Sequence, residues 1–483
     1  MGYTQELADF ASGTRFEDLP PSVVDYTKLV FLDTLVCGIA AKEFERSHML
    51  QSVASQLGGP PESTVYGLPR RVSAAAAAMT NCEMTNFLDA DDTFFSSNHF
   101  GAFSVTAALA MGERYHKPGR DVILATALGF EVNAHVNLSL KWMDFIDGQF
   151  KWSSVSGMGF AAFGAMVSAG VLMGLNQEQM RNAFGLTGWM APGPGGGRSI
   201  KGQQFYSQKY GPYTTPTITG ILAAMFAQQG YVGEQHTLDG DDGFWKTQSS
   251  VSTDQGLLTW ELGNKWWMEE TSIKFYPSCR YTAAPLDMLY KLIAQERLTA
   301  DEIESIEVAL NPMAFTIPMF RNPAKKIDGS DHRAPLNAQF NIPYVLAVAM
   351  LGHRPGPGWH AKERFDDPKV IAFMERVTTS QDPAAAAEAM RAFREERIGR
   401  FRKGGGSIKV KARGKEYALS TEYCYGDPWT PETRTTWDRL DVKIHNFLDG
   451  LLTPAQIERL TRDARSLEEL DDVSHLLEFL VEA

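Results

Sequence analysis

The feature that most constrains this chain is a series of apolar stretches made almost entirely of small residues. At helical spacing, alanine, glycine, serine and valine recur through 73–87, 104–115, 120–138, 157–175, 177–187 and 217–229. Such stretches have the propensity and length of helices, and side chains this small let helix backbones approach closely. An earlier run at 23–41, VVDYTKLVFLDTLVCGIAA, is opened by Pro20, Pro21 and Ser22, a helix start signal. Roughly the first 265 residues therefore read as packed helices, with no solenoid-length repeat.

One of these stretches, GMGFAAFGAMVSAGVLMGL at 157–175, is long enough to raise the question of a membrane span. Its glycine, alanine and serine on all faces suit a helix covered on every side inside a large helical domain, and no membrane partner is expected. The chain has 483 residues, 44% apolar and 22% charged, enough to bury a large core without staples. Its formal net charge of -12 argues against a nucleic-acid partner but leaves room for a local cationic pocket. Cys37, Cys82, Cys279 and Cys424 are far apart and form no CxxC pair, so neither a disulfide framework nor a zinc site is expected. The segment MGYTQELADFASG lacks the pattern of a signal peptide, and Glu6 stands where myristoylation wants Ser or Thr. A reducing cytoplasm is the expected location.

After Trp267 the pattern changes. Alternation predicts a strand at 303–310, and a hairpin joins 406–410 to 413–420 through a glycine-containing turn. Helices are expected at 284–295, 342–351 and 384–401, and a loop at 352–368. Helical patterns return near the end, with Pro431 and Pro454 as start signals. The expected fold is mainly α with an inserted α+β domain. Residues 1–268 and 421–483 form one helical domain, and 269–420 the smaller α+β unit.

The densest carboxylate cluster is Asp89-Ala90-Asp91-Asp92-Thr93, followed by His99 in NHF. A carboxylate beside an imidazole can tune it as an acid or base near neutral pH. The competing reading is a helix end followed by a solvated turn. The letters also fit D-x-D-x-T of aspartyl phosphatases, but the approach TNCEMTNFL is helical, where that chemistry wants a buried strand. A magnesium site from Asp89, Asp91 and Asp92 lacks an obvious further acidic cluster. The glycine-rich APGPGGGRSIKG at 191–202, with Arg198 and Lys201, is either an anion cradle or a plain connecting loop; it is neither a Walker A sequence nor GxGxxG. Lys209, in KYGPY, precedes a small-residue helix whose N-terminus would add positive potential for a carboxylate. Lys274, Tyr276, Arg280 and Tyr281 put two cations and two phenols within KFYPSCRYT.

Together and in order, FLDTLVCGIAA, LDADDT, NHF, FAAFGAMVSAGVLMGL, GILAAMFAQQGYVGEQHTLDGDDGFW, KFYPSCRYT, LNAQFNIPYVLAVAMLG and YGDPWTPETRTTWDRLDVKI resemble the MmgE/PrpD family. That family includes 2-methylcitrate dehydratase, cis-aconitate decarboxylase and iminodisuccinate epimerase. The resemblance covers most of the chain. It implies a helical domain built from both chain ends, an α+β lid inserted between them and an active site in the cleft. It also implies a homodimer that uses no organic cofactor and no metal, acting on small polycarboxylates through a proton abstracted next to a carboxylate or a carbanion-like state. Matched residue by residue, it assigns Asp89, His99, Lys209 and Lys274 to catalysis and Thr93, Tyr276 and Arg280 to the substrate.

Three departures from the family pattern bear on activity. A histidine expected near Ser154 or Val155 is missing. The histidine expected after Tyr281-Thr282 is Ala283. The residues after Lys209 read Tyr210-Gly211-Pro212-Tyr213, without the family's histidine. Tyr210, Tyr213, Trp152 and Phe100 are the candidates to fill the vacated space, Tyr210 as a substrate contact. The expected function is a cofactor-independent lyase of dehydratase or decarboxylase type. An isomerase or epimerase of a substituted dicarboxylate, or a non-catalytic anion binder, stays open.

Overall fold

The computed structural model describes residues 2–95, 98–146, 149–153, 157–193, 195, 202, 204–248, 250–400 and 402–481; at 145, 146, 149–152 and 316 it describes the backbone alone. The small-residue stretches are helices, as expected. In chain order the helices of nine residues or more in the first half are α1 (Tyr3–Gly13), α2 (Pro21–Ala40), α3 (Glu45–Leu57), α4 (Ala74–Thr85), α5 (Gly101–Tyr115), α6 (Gly119–Ser139), α7 (Ala162–Leu172), α8 (Gln177–Met190) and α9 (Thr214–Gln228).

The stretch at 157–175 shortens to α7, preceded by a 3-10 turn at Gly159–Ala161 and ended where Gly174 takes a positive φ of 68°. Helix α7 packs against α5, α6, α8 and α9, and ten of its eleven residues are buried. Its small residues explain how. A Cβ on Gly164 would sit 2.1 Å from Asn133 Nδ2, and one on Gly220 would sit 2.3 Å from the Ala162 carbonyl oxygen. Instead Asn133 Oδ1 accepts from the Gly164 N–H at 2.8 Å. Among the described residues no helix is long and apolar enough to cross a membrane.

The second half adds α10 (Ala283–Glu296), α11 (Ile342–Met350), α12 (Pro383–Glu395), α13 (Trp437–Leu448) and α14 (Pro454–Arg465). Helix α12 ends earlier than expected, at Glu395, because the backbone turns extended at Glu396 and Gly399 takes a positive φ of 58°. The next residue, Arg400, reaches back to the Asn137 and Leu140 carbonyls at the end of α6. The loop expected at 352–368 contains two short helical turns, Pro357–His360 and Lys362–Phe365, anchored by fully buried Trp359.

Two short strands and one sheet complete what matters for the site. Strand β1 (Thr93–Phe94) pairs antiparallel with β2 (Thr271–Ser272). The four-stranded sheet has β3 (Ile303–Leu310) flanked by β4 (Val377–Gln381), parallel to it, and β5 (Gly406–Ala412), antiparallel; β6 (Lys415–Thr421) extends it as a hairpin. The hairpin turns on Arg413 and Gly414, both at positive φ, as a two-residue turn requires. Strand β3 alternates in burial, and α10 packs on β5 and β6. The structure is thus mainly α with a small β part.

The C-terminal helices pack on the N-terminal ones. Helices α13 and α14 both contact α2. Fully buried Lys443 on α13 pairs with fully buried Asp33 on α2, and Lys28 Nζ lies 2.8 Å from Glu468 Oε1.

Candidate active site

The acidic segment after α4 is buried. Asp89, Asp91 and Asp92 are each 1% exposed or less, which overturns the solvated-turn reading. The three carboxylates have different tasks. Asp92 caps the start of α5, accepting from the Gly101 N–H at 2.9 Å and the Phe100 N–H at 3.2 Å. Burial pushes its carboxyl well above the usual range, with Asp91 and Asp33 adding to the push. Asp91 accepts from Asn86 Nδ2 at 3.1 Å, and its Oδ2 lies 3.3 Å from His99 Nδ1. Asp89 turns inward on a left-handed backbone, φ 53°. Aspartate tolerates that conformation better than most residues, and it costs about 1–3 kcal/mol unless the surroundings fix it.

Two ammonium groups meet Asp89. Lys274 Nζ donates to its Oδ1 at 2.8 Å, and Lys209 Nζ stands 3.5 Å from the same oxygen. Lys274 arrives because the β1–β2 pairing sets Ser272 opposite Thr93, two residues before the lysine. Lys209 arrives on a turn before α9, also left-handed at φ 54°, and donates to the Asn86 carbonyl at 2.9 Å and the Asn86 Oδ1 at 3.2 Å. The same turn delivers Tyr210, whose Oη is 3.0 Å from His99 Nε2, with the two rings stacked 5.7 Å apart. Asn86 Nδ2 donates to that oxygen at 2.7 Å, and Tyr213 Oη donates at 3.4 Å.

The electrostatics follow from this geometry. Burial alone would raise Asp89, but Lys209, Lys274 and His99 outweigh it and hold the carboxyl well below the usual carboxylate range. Burial likewise opposes ionisation of Asp91, and His99 and Lys274 more than offset it. Lys274 is raised above an ordinary lysine: burial works against its charge, and Asp89 and Asp91 win. Lys209 is lowered to about 8, because burial outweighs the pull of Asp89 and Asp91. Burial, with Asp89 nearby, pushes the Tyr210 phenol well above its ordinary value. Asp89 Oδ2 is buried with no hydrogen-bond partner among the described residues.

Of the residues expected at the site, the structure brings Asp89, His99, Lys209, Lys274 and Tyr210 together. Thr93 is buried on β1 beside them, its hydroxyl without a hydrogen-bond partner among the described residues. Tyr276 and Arg280 are committed elsewhere. Tyr276 Oη donates to Asp287 Oδ1 at 2.7 Å, and its ring stacks on Tyr290 and Trp359. Arg280 pairs with Asp427, a residue that also accepts from Ser272 Oγ at 2.6 Å. Both belong to the frame behind β2, because buried carboxylates there take their polar groups. The N-terminus of α9, expected to face a substrate carboxylate, is capped instead by Glu83, which accepts from the Tyr213 and Thr214 N–H groups. Phe100 packs on Phe94, Phe130 and Phe160 in the core. Ala283, where a histidine was expected, opens α10 and is buried. Ser154, Val155, Arg198 and Lys201 and the Trp152 side chain lie outside the described residues.

Sequence reasoning missed Asn86, the amide that joins Lys209, Asp91 and Tyr210. It stands at the C-cap of α4, a position where asparagine is ordinary, so no signal marked it. It also weighed Asp91 only as a magnesium ligand, not as the neighbour of His99 and Asn86, and left Tyr213 as a mere space-filler. Asp89, Asp91 and His99 offer ligand atoms within 4.8 Å of one another, a spacing a metal ion could use. Lys274 and Lys209 already supply the positive charge at those carboxylates, so a cation there would have to displace an ammonium.

Two family models cover most of the chain: the MmgE/PrpD N-terminal domain matches residues 5–255 and the MmgE/PrpD C-terminal domain residues 276–469. The chain belongs to the MmgE/PrpD family. A cis-aconitate decarboxylase from Aspergillus terreus is 24% identical to it, over 79% of this chain and 78% of its own length. The cis-aconitate decarboxylase of Homo sapiens is 22% identical over 99% of this chain and 94% of its own length. A cis-aconitate decarboxylase-like protein from Aspergillus oryzae is 21% identical over 98% and 96%.

Proposed function

We propose that this family member is a cofactor-independent lyase. Its substrate is a small polycarboxylate from which it removes carbon dioxide, or water, next to a second carboxylate. The observation that carries this reading is the pairing of two buried ammoniums with one carboxylate, beside an imidazole. Lys274 is committed to Asp89 at 2.8 Å, whereas Lys209 is 3.5 Å away. A substrate carboxylate competes best for Lys209, gaining a charge-assisted hydrogen bond in a nearly dry setting. Held there, the neighbouring carbon can carry the electron pair left by departing carbon dioxide, and His99 sits within reach of a proton transfer worth about 10²–10⁴ in rate. The names of the relatives favour decarboxylation over dehydration.

In this reading residues 1–268 and 421–483 form the helical domain and 269–420 the lid. Lys274 then comes from the lid side of the cleft, and Asp89, His99 and Lys209 from the other. An isomerase remains the second reading, favoured by one observation: Lys209-Tyr210-Gly211-Pro212-Tyr213 lacks the imidazole of the family pattern, which removes a candidate acid for a leaving hydroxide.

The test is incubation with cis-aconitate, other tricarboxylates, iminodisuccinate and aryl-substituted diacids in deuterium oxide. Release of carbon dioxide with deuterium at the adjacent carbon supports the lyase. Deuterium exchange with inversion and no loss of carbon supports the isomerase. Binding without exchange on any of these would leave only an anion-binding protein.

A further inference from the structure

The groups around Tyr210 Oη fix where its proton points. Asn86 Nδ2 donates to that oxygen at 2.7 Å, and the amide cannot be reversed, because its Oδ1 accepts from Lys209 Nζ at 3.2 Å. Tyr213 Oη lies farther off, at 3.4 Å. A phenol oxygen has two lone pairs; Asn86 takes one, and the other stays able to receive a proton from His99 when the imidazole is charged. Its own O–H goes to an acceptor, and the nearer is His99 Nε2 at 3.0 Å, against 3.4 Å for Asp89 Oδ1. Neutral His99 is left with a bare Nε2 and its proton on Nδ1, which faces Asp91 Oδ2 at 3.3 Å.

Exposure adds a second observation. Asp89, His99, Lys209 and Lys274 are all buried, whereas Tyr210 keeps part of its surface open.

We propose that Tyr210 is the catalytic residue that exchanges a proton with the reacting carbon of the substrate, and that His99 acts through it as a proton reservoir. This rests on the reading that a carbanion forms next to a carboxylate. As carbon dioxide leaves, the C–C bond breaks and its electron pair stays on the substrate carbon. The Tyr210 hydroxyl proton moves to that carbon and forms the new C–H bond, while imidazolium His99 passes its Nε2 proton to the phenol oxygen. The phenol is restored, His99 is left neutral, and water reprotonates it before the next turnover. A phenol whose ionised form is disfavoured by burial is not left as phenolate, so the two transfers run together. Asp91 Oδ2, 3.3 Å from Nδ1, offsets the charge of the imidazolium.

Two measurements test this. In nitrogen-15 spectra of histidine-labelled protein, with His99→Gln used for assignment, neutral His99 is expected as the Nδ1–H tautomer. Its Nε2 resonance should move in Tyr210→Phe. A neutral Nε2–H tautomer, or a His99 signal indifferent to Tyr210→Phe, overturns the proposal. With cis-aconitate as substrate, Tyr210→Phe and His99→Gln should each lower kcat by about 10²–10⁴, and the double variant should fall no more than about twofold below the worse single. Losses that multiply, or a Tyr210→Phe enzyme within about threefold of wild type, overturn it as well. A wild-type protein that turns over none of the carboxylates defeats the proposed reaction instead; the spectra still decide whether phenol and imidazole are coupled as described.

Discussion

Two buried carboxylates lie near one loop, and each is met by ammonium groups in a different way. Asp33 on α2 faces one partner, Lys443 on α13, and Lys443 also donates to the Ala90 carbonyl at 2.7 Å. Asp89, the residue before Ala90, faces two ammoniums on one oxygen and leaves its other oxygen without a hydrogen-bond partner among the described residues. Burial pushes Asp33 up to about 6 in spite of Lys443, whereas two cations together hold Asp89 far below that. The one-to-one pair likewise leaves one oxygen, Asp33 Oδ2, without a hydrogen-bond partner among the described residues, and it joins two ends of the chain. The two-to-one cluster has a second ammonium at 3.5 Å that also donates to Asn86, two left-handed backbones and partly buried Tyr210 beside it. Neither depth of burial nor an unpartnered oxygen separates the two; the number of ammoniums on one carboxylate oxygen does. By that criterion Arg280 with Asp427 belongs with Asp33, and Lys209 does not.

The largest effect expected from breaking the two-to-one cluster is kinetic. His99→Gln should lower turnover by about 10²–10⁴ with a much smaller change in apparent KM, because the proton transfer matters in the transition state and little in the ground state. A variant in which only KM rises would make His99 a binding group and remove the contrast with Asp33.

Next in size is a difference in stability. Lys443→Met strands Asp33 without its partner and should cost about 3–5 kcal/mol in denaturant unfolding. Lys274→Met leaves Asp89 with Lys209 and should cost on the order of 1–3 kcal/mol, while lowering kcat/KM far more than it lowers stability. Equal destabilisation by the two variants would show that the second ammonium at Asp89 is not spare.

A pH series sharpens the role of Lys209. Its pKa is lowered to about 8, so it is an ammonium below that pH and a neutral amine above. A carboxylate substrate needs the ammonium, and apparent KM should therefore rise by about tenfold per unit above pH 8. Lys209→Arg, charged throughout the range, should flatten that rise. A flat wild-type profile to pH 10 would place the substrate elsewhere.

The smallest expected kinetic effect is at Arg280. Arg280→Lys should lower the melting temperature yet leave KM within about twofold, since the guanidinium is committed to Asp427. A large rise in KM would return Arg280 to the substrate and dissolve the distinction between the two kinds of pair.

Much of the helical architecture was legible, because small-residue periodicity is a local property: α4 through α9 fall close to where spacing predicts them. The hairpin of β5 and β6 was legible too, from alternation and a glycine at its turn. Of the buried cluster, Asp89, His99, Lys209 and Lys274 were legible through a family resemblance spread over the chain. Asn86 and Asp91 were not, since their importance lies only in which neighbours they join.

What the sequence determined by itself is the fold class and the kinds of group available: small-residue helices that must bury one another, and acids, amines and an imidazole with no metal-like spacing of cysteines. What the tertiary structure decided is which of those groups are spent. Lys274 meets Asp89 across 185 positions and Tyr210 meets His99 across 111, and no local pattern encodes such a meeting. The same letters could have left Asp89 in a solvated turn, or set Arg280 rather than Lys209 before a substrate. Folding buried the acidic turn, and buried charges must be matched at hydrogen-bond distance. That requirement, met across distant segments, paired Arg280 with Asp427 and set Lys209 and Tyr210 beside Asp89 and His99.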